Sequence, residues 1–260
     1  MNIIPLDFKN AVNLEHGSYV WPSRILFLVL LLLNLAFNFN PYASSDFNPL
    51  INYLYSGTED YSETLNLPVT DGNIIFLLTL LALGIVTVII VGIFSGHYAN
   101  RLFISKIGNV DKIKDRIPVR KYIVWTIFVI LAAVPFAFSV AYSFILVIVA
   151  MPVMVLLPSF YLNDDCNIFR SIGRTIRHLR RSYLRTMNVI ILIYLSYYLI
   201  DIVSTMLIYQ FSSPAAYVIS SFAAAWCWTA LGRYAGARYS VLKYMKGASP
   251  FQTPHEDSSI

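Results

Sequence analysis

Asp201 is the one charged residue that lies well inside an apolar run of this sequence, which makes it the first candidate for chemistry. A charged carboxylate at bilayer depth needs a partner, and such residues usually face a bundle interior or a wet cavity. Polar side chains recur beside it at spacings of three and four, which places them on one helix face. This predicted polar stripe consists of Tyr194, Tyr197, Tyr198, Asp201, Ser204 and Thr205.

Two roles for Asp201 follow from this pattern. In the first, the carboxylate cycles its charge in a self-contained small transporter. In the second, it hydrogen-bonds to a neighbouring helix and holds the bundle together. Asn34 and Asn38, four residues apart in another apolar run, are candidates to line the same interior.

The second candidate is the segment 163–187, NDDCNIFRSIGRTIRHLRRSYLRTM, in which six arginines fall within sixteen residues. The spacing predicts an amphipathic helix over 164–186, with Asn163, Asp164 and Asp165 capping its start. The apolar face is predicted to hold Phe169, Ile172, Ile176, Leu179 and Tyr183, and the opposite face Arg170, Arg174, Arg177, Arg181 and Arg185.

The arginine face suits a membrane surface. Each arginine gains ~1 kcal/mol on an anionic leaflet, whereas each like-charge pair at this spacing costs only ~0.2–0.5 kcal/mol. We therefore predict that this face meets anionic headgroups, a membrane-protein partner or a second copy of the chain. The alternative is that the arginines only enforce topology. Nucleic acid is not expected, because no recognition motif accompanies the basic residues.

Long apolar runs must position these candidates. The chain is 57% hydrophobic and 13% charged, whereas charged residues make up about 25% of soluble domains. The fold class predicted is all-α, a polytopic bundle of six transmembrane helices in a single domain, each near the ~20 residues that cross a bilayer. The predicted spans are 20–39, 73–96, 121–141, 143–162, 188–211 and 214–236, with the amphipathic helix between spans four and five and a tail at 247–260.

The basic residues predict the orientation of these spans. If both termini are cytoplasmic, the inside segments 1–24, 97–121, 162–187 and 232–260 hold all 19 Lys and Arg residues. The first outside loop instead carries Asp46, Glu59, Asp60, Glu63 and Asp71. This distribution follows the positive-inside rule. A cleaved signal peptide around 25–45 is the competing interpretation, and it would place the mature N-terminus outside.

Two small-residue motifs predict close helix packing. Gly92 and Gly96 end span two, and Gly232 and Gly236 end span six, each pair at the spacing that lets backbones approach. No nucleotide-binding loop, zinc-protease motif or nucleophile elbow is present in the sequence. We therefore expect no catalytic residues, no metal and no cofactor. Cys166 and Cys227 fit neither a disulfide framework nor a metal site.

Residues 150–195, AMPVMVLLPSFYLNDDCNIFRSIGRTIRHLRRSYLRTMNVIILIYL, resemble the YciC-like group of bacterial integral membrane proteins. That group is similar to the membrane-domain family fused to some glycerophosphodiester phosphodiesterases. In it, a proline-containing span ends near a short acidic turn and a cytoplasmic helix follows. Phe169, Ser171, Ile172, Arg174 and Thr175 stand near its pattern. The resemblance implies six spans, a role in membrane homeostasis or envelope stress, and no catalysis, because the phosphodiesterase domain is not among these residues.

The sequence thus predicts a non-enzymatic multi-pass protein of the bacterial cytoplasmic membrane. It would act as a transporter-like subunit or as an accessory or assembly component of the envelope. A lipid-active membrane enzyme and a small transporter using Asp201 are the alternatives. A water-filled cavity reaching Asp201 would favour transport, and a groove open to lipid with charged residues converging at one leaflet would favour lipid chemistry. A solidly packed bundle with an exposed apolar face would favour an accessory role.

Overall fold

The computed structural model describes residues 7–14, 20–55, 68–107 and 117–244, and their regular structure is helical throughout. The predicted tail at 247–260 lies outside these residues, as do Glu59, Asp60 and Glu63 of the acidic loop. The helices are α1 (Phe8–Val12), α2 (Val20–Asn38), α3 (Asn48–Tyr55), α4 (Asp71–Ile107), α5 (Val119–Tyr142), α6 (Phe144–Asn163), α7 (Ile168–Leu179), α8 (Tyr183–Val203, continued by a π-helical turn, Ser204–Ile208) and α9 (Ser213–Tyr244).

Six of these helices are long and apolar enough to cross a membrane, and the predicted fold class is confirmed. Their membrane-crossing candidates are Val20–Asn38, Asp71–Arg101, Val119–Ser139, Ile145–Asn163, Tyr183–Ile208 and Ser213–Lys243. Each contains a long run of leucine, isoleucine, valine, alanine or phenylalanine that is costly to leave in water. The chain is a multi-pass membrane protein.

Several predicted boundaries are wrong. The helix of span two does not stop at 96 but continues to Ile107, and that of span six continues past 236 to Tyr244. Span five begins at Tyr183 rather than at 188. The apolar runs do end where predicted, but beyond them α4 and α9 pack against each other, which buries Tyr98 and Ala237. Tertiary packing therefore extends both helices past the hydrophobic segment that the sequence pattern reveals.

Helix α9 forms the centre of the bundle, since it contacts α1, α2, α4, α6, α7 and α8. Small side chains on it are almost completely buried, among them Ala225, Ala230 and Ala235. They allow the other helices to approach closely on several sides. The short α1 also packs on α9, where the Trp226 indole N–H donates to the Val12 carbonyl at 3.1 Å.

The glycines of α9 lie directly against α4. A Cβ atom added at Gly236 would come within 2.6 Å of the Ser95 carbonyl oxygen and 2.9 Å of the Ala99 nitrogen. At Gly232 the nearest atom would be a Phe94 ring carbon at 3.0 Å. The backbones of α4 and α9 therefore meet at a distance that a larger residue at 236 would not permit.

The glycines of α4 lie against two other helices, α5 and α6. A Cβ at Gly92 would lie 2.7 Å from the Trp125 indole nitrogen of α5, and one at Gly96 would lie 2.6 Å from Leu162 of α6. All four glycines predicted for helix packing thus lie against a facing helix. Together they fix α4 between α5, α6 and α9.

Candidate functional site at the basic end of the bundle

One end of the bundle gathers its basic side chains. There α6 and α9 finish and α5, α7 and α8 begin, and we call it the basic end. Contacts across it join Lys121 of α5 to the end of α6, and Lys243 of α9 to Asp164, just after α6. The Arg238 side chain of α9 donates to Thr186 of α8 at 3.2 Å.

Asp164 is the centre of this end. Its carboxylate is only 5% exposed and forms ion pairs with Lys243 and with Arg174, the latter at 3.3 Å between Oδ2 and the guanidinium. The Tyr239 hydroxyl donates to Oδ1 at 2.8 Å. One buried carboxylate therefore joins the end of α6 to both α7 and α9.

Burial by itself raises the pKa of the Asp164 carboxyl. The hydrogen bond and charge of Lys243, with the hydrogen bonds of Tyr239 and Arg174, outweigh that effect and hold the pKa below its usual value. Because opposite charges and donated hydrogen bonds favour the ionised form, Asp164 stays a carboxylate. The basic end is therefore organised around a carboxylate that is ionised at neutral pH.

Lys121 caps the C-terminal end of α6. Its ammonium, 7% exposed, donates to the backbone carbonyls of Tyr161 at 3.0 Å and Leu162 at 3.1 Å, and also to that of Asp164. These carbonyls lie at the negative end of the helix dipole and lack partners within the helix. Lys121 thus stabilises the helix end that presents Asp164.

The predicted cap of the amphipathic helix is wrong. The helix covers Ile168–Leu179 rather than 164–186, and Asn167 is its N-cap, with Oδ1 accepting from the Arg170 N–H at 3.0 Å. Asn163 instead donates to the Gly96 carbonyl at 3.1 Å. The acidic residues were assigned to the cap because acidic side chains favour helix starts. The contacts of Asp164 reach across the molecule and leave no local pattern.

The predicted apolar face of α7 is correct at Leu179 and Ile172, which pack against the bundle, and wrong at two other positions. The face against the bundle holds Ile168, Ser171, Thr175 and Leu179, whereas Phe169 and Ile176 are 75% and 53% exposed. The two hydroxyls are satisfied inside the helix, since Thr175 Oγ1 donates to the Ser171 carbonyl at 2.8 Å. Ser and Thr can be buried by such back-bonding, which a purely hydrophobic pattern does not detect.

The arginines predicted for docking divide into two groups. Arg174 is used by Asp164, and Arg185 lies in α8, where its guanidinium bonds to exposed Asp7 at 3.2 Å. Arg170, Arg177 and Arg181 are exposed, as is Arg180, which the predicted face omitted. Within the part of the chain that the structure describes, these four make no ion pair.

An open groove of about 580 Å³ lies beside two of these free arginines. It is bounded by α6, α7 and the start of α8, and its lining residues are Val153, Gly173, Ile176, Arg177, Arg180 and Tyr183. The Tyr183 hydroxyl donates to the Val149 carbonyl of α6, which ties α8 to the groove wall.

The other candidate, Asp201, lies at the α8–α9 interface and is half-buried. Its Oδ1 accepts a hydrogen bond from Ser220 of α9, a partner that the sequence interpretation missed. Ser220 offered no signal, because a serine in an apolar helix is common and its facing residue is unknown beforehand. Among the described residues Asp201 has no ion pair.

The predicted polar stripe is correct at four positions and wrong at two. The side of α8 that packs against α9 holds Tyr194, Tyr197, Asp201 and Ser204. The buried face of α8 follows Ile190, Ile193 and Ser204, whose hydroxyl donates to the Ala216 carbonyl at 2.9 Å. Tyr198 is 59% exposed and Thr205 is exposed. Tyr194 and Tyr197 pack against the core formed with α9, and the Tyr194 ring meets Trp228 edge-on at 6.0 Å.

The two asparagines of α2 have different partners. Asn34 donates to the Leu30 carbonyl of its own helix at 2.8 Å. Asn38 donates to the Ser221 hydroxyl at 2.8 Å, the residue next to the partner of Asp201. The pair Ser220–Ser221 of α9 therefore holds α8 on one side and α2 on the other.

Comparison with known proteins gives no relative, since no family model, no curated protein and no solved structure matches the chain. Among the described residues no three His, Cys, Asp or Glu side chains come together as metal ligands. Cys166 and Cys227 are free thiols. The arguments about function therefore rest on geometry, namely a membrane bundle with a fixed basic end and exposed arginines.

Proposed function

We propose that the protein is a non-enzymatic accessory or assembly component of the bacterial cytoplasmic membrane, with both termini in the cytoplasm. The observation that carries the proposal is the set of exposed arginines on α7 and on the turn that follows it: Arg170, Arg177, Arg180 and Arg181. The opposite face of α7 packs against the bundle. A rigid helix presents charge at a fixed place. The resemblance to the YciC-like group supports the bacterial membrane.

The free arginines suit the anionic surface of the inner leaflet. Four such residues gain roughly 4 kcal/mol at ~1 kcal/mol each. Phe169 and Ile176 are exposed on the same helix, between the bundle face and the arginines. Apolar side chains in that position insert at the headgroup boundary while the guanidinium groups stay at the surface. The protein would hold anionic lipids, or a partner bound among them, at its basic end.

Transport through Asp201 receives less support. Its carboxylate already accepts a hydrogen bond from Ser220 across a helix interface. That contact favours the structural role weighed for it, a polar bond between two spans. The open groove beside Arg177 favours lipid contact over movement of a solute through the bundle.

Hydrogen exchange in lipid nanodiscs tests the proposal. Amides of α7 should exchange more slowly in discs with half phosphatidylglycerol than in pure phosphatidylcholine, and added salt should reduce the difference because it screens exposed charges. Replacing the four free arginines with Gln should abolish it. The amides of α5 serve as the internal control. Equal exchange of α7 in both lipids would mean that the arginines only enforce topology.

The accessory role has its own test. Solubilised in a mild detergent, the wild-type chain should run on a native gel as a complex larger than a single copy in its micelle. The four-arginine variant should run as the single copy. A wild-type chain that runs alone would contradict the accessory role without affecting the lipid contact.

Topology is tested by cysteine labelling in a chain that lacks Cys166 and Cys227. A cysteine at Ser213 should react with an impermeant reagent outside intact cells, and one at Ser258 should not. Outside labelling at 258 would overturn the proposed orientation.

A further inference from the structure

The groove between α6, α7 and α8 has the features of a specific ligand site. Its volume of about 580 Å³ lies within the ~300–1,000 Å³ typical of small-molecule sites. We propose that it holds one anionic phospholipid, with the phosphodiester between Arg177 and Arg180 and an acyl chain against the apolar wall. This proposal rests on the proposed function, because the basic end must face the anionic leaflet.

The two arginines are placed to share one phosphate. They are three residues apart, and Arg180 retains helical backbone angles, so that their side chains emerge on the same side of α7. A guanidinium group binds phosphate oxygens through paired hydrogen bonds. Neither arginine has an ion pair among the described residues, whereas Arg174 and Arg185 do. A phosphate between them would also relieve their mutual repulsion.

The remaining lining fits a hydrocarbon chain. Val153 and Ile176 are apolar, and the Tyr183 hydroxyl is already used by the Val149 carbonyl, which leaves its ring as the contact surface. Val149, one helical turn from Val153 on the same side of α6, is 55% exposed. An acyl chain leaving the groove therefore follows an apolar path along a spanning helix.

Gly173 keeps the groove open. A Cβ atom built there would meet nothing within 4 Å, so no close contact with the protein requires a glycine. Glycine is also unfavourable inside an exposed helix. A ligand occupying that space accounts for its presence. The position thus offers a way to fill the groove without altering charge or disturbing the fold.

Native mass spectrometry with dioleoylphosphatidylglycerol tests the site. The wild-type protein should retain one lipid per chain. Dioleoylphosphatidylcholine at the same concentration should bind about tenfold more weakly, because its trimethylammonium group offsets the phosphodiester charge and is repelled by the two arginines. Gly173→Leu should reduce the bound phosphatidylglycerol by about tenfold or more. Its matched control is Gly84→Leu on α4, where a Cβ is equally unobstructed; this variant should bind as the wild type does.

Two double variants distinguish lipid binding in the groove from general attraction between basic residues and anionic lipid. Arg177→Gln with Arg180→Gln should lose about tenfold or more in lipid retention. Arg24→Gln with Arg120→Gln removes the same charge from exposed positions outside the groove and should change retention by less than about twofold. Circular dichroism of each variant checks that it is folded. Leu at 173 is also a better helix former than glycine.

Failure of this inference is distinguishable from failure of the proposed function. Equal losses from both arginine pairs, with no effect of Gly173→Leu, would overturn the groove site while the lipid-dependent exchange of α7 still stands. Displacement of the lipid by millimolar inorganic phosphate would show that a free anion is the ligand and would also overturn it. We expect the wild type to retain phosphatidylglycerol in the presence of phosphate and Gly173→Leu to lose it.

Discussion

Asp164 and Asp201 are two carboxylates in one bundle with different surroundings. Asp164 is 5% exposed and bonded to Lys243, Arg174 and Tyr239. Asp201 is half-buried, and its recorded partner is the hydroxyl of Ser220. The partners of Asp164 come from two helices, α7 and α9, and two of them are charged. The partner of Asp201 is a neutral hydroxyl nearer the start of α9.

The difference indicates that position in an apolar run is a poor guide to the importance of a charge. Asp201 stands out in the sequence because its neighbours are apolar. Asp164 lies at the border of a span and resembles an ordinary helix cap. Yet breaking a buried ion pair leaves uncompensated charges, whereas removing one polar contact between membrane helices costs little.

The largest effect is predicted for Asp164→Asn. The substitution removes the charge that Lys243 and Arg174 pair with. Because these cations are 30% and 46% exposed, the expected loss is that of hydrogen bonds to a charged group, about 1.5–3 kcal/mol. Denaturant unfolding in detergent measures the change. Asp7→Asn is the control, because its pair with Arg185 is exposed on both sides and exposed pairs contribute about 0–1 kcal/mol. Equal effects of the two variants would remove the special status of Asp164.

A second prediction concerns backbone contact near the basic end. Gly236→Ala places a methyl group 2.6 Å from the Ser95 carbonyl and should cost about 1–3 kcal/mol through overpacking. Gly84→Ala, at an unobstructed position of α4, should be neutral or stabilising by up to about 1 kcal/mol. A tolerated alanine at 236 would show that α4 and α9 are not in direct backbone contact there.

The pH dependence of stability sharpens the comparison further. The folded-state pKa of Asp164 lies below its ordinary value, so its contribution is fully present above about pH 5 and is lost as the pH falls through the folded pKa. Unfolding curves from pH 7 to pH 3 should show a loss in the wild type that is smaller in Asp164→Asn. If stability fell equally with pH in the wild type and in Asp164→Asn, the lowered pKa of Asp164 would be contradicted.

The smallest effect is predicted for Asp201→Asn. The amide still accepts from Ser220, and polar contacts between membrane helices average about 0.6 kcal/mol, so stability should change by less than about 1 kcal/mol. Ser220→Ala should have a similar effect, and the double variant should add little. A loss as large as that of Asp164→Asn would reverse the ranking of the two sites.

The sequence predicted the six spans because burial in lipid demands long apolar runs, and such runs are visible residue by residue. The ends of α4 and α9 were not predictable in the same way, since packing between them rather than hydropathy continues the helices to Ile107 and Tyr244. The face that α7 turns toward the bundle was not predictable either. Ser171 and Thr175 are buried on it, although their polarity favours an exposed position.

The site shows the same limit. The free arginines of α7 followed from local spacing, and Arg170, Arg177 and Arg181 are exposed as a surface requires. Tyr239 and Lys243, which bond to Asp164, and Ser220, which bonds to Asp201, come from α9. No local period relates them to those carboxylates. Long-range pairs of this kind require the fold itself.

The contacts of Asp164 also set an order of events during synthesis. Arg174 follows it by 10 residues, but Tyr239 and Lys243 follow by 75 and 79. At the usual ribosomal rate of about 5–20 residues per second, Lys243 is added roughly 4–16 s after the carboxylate. Ser220 and Ser221, which hydrogen-bond to α8 and α2, also lie on α9. The nascent protein therefore cannot form the bonds that join α2, α8 and the end of α6 through α9 until that helix is made. A ribosome that stops early releases a chain without its central helix.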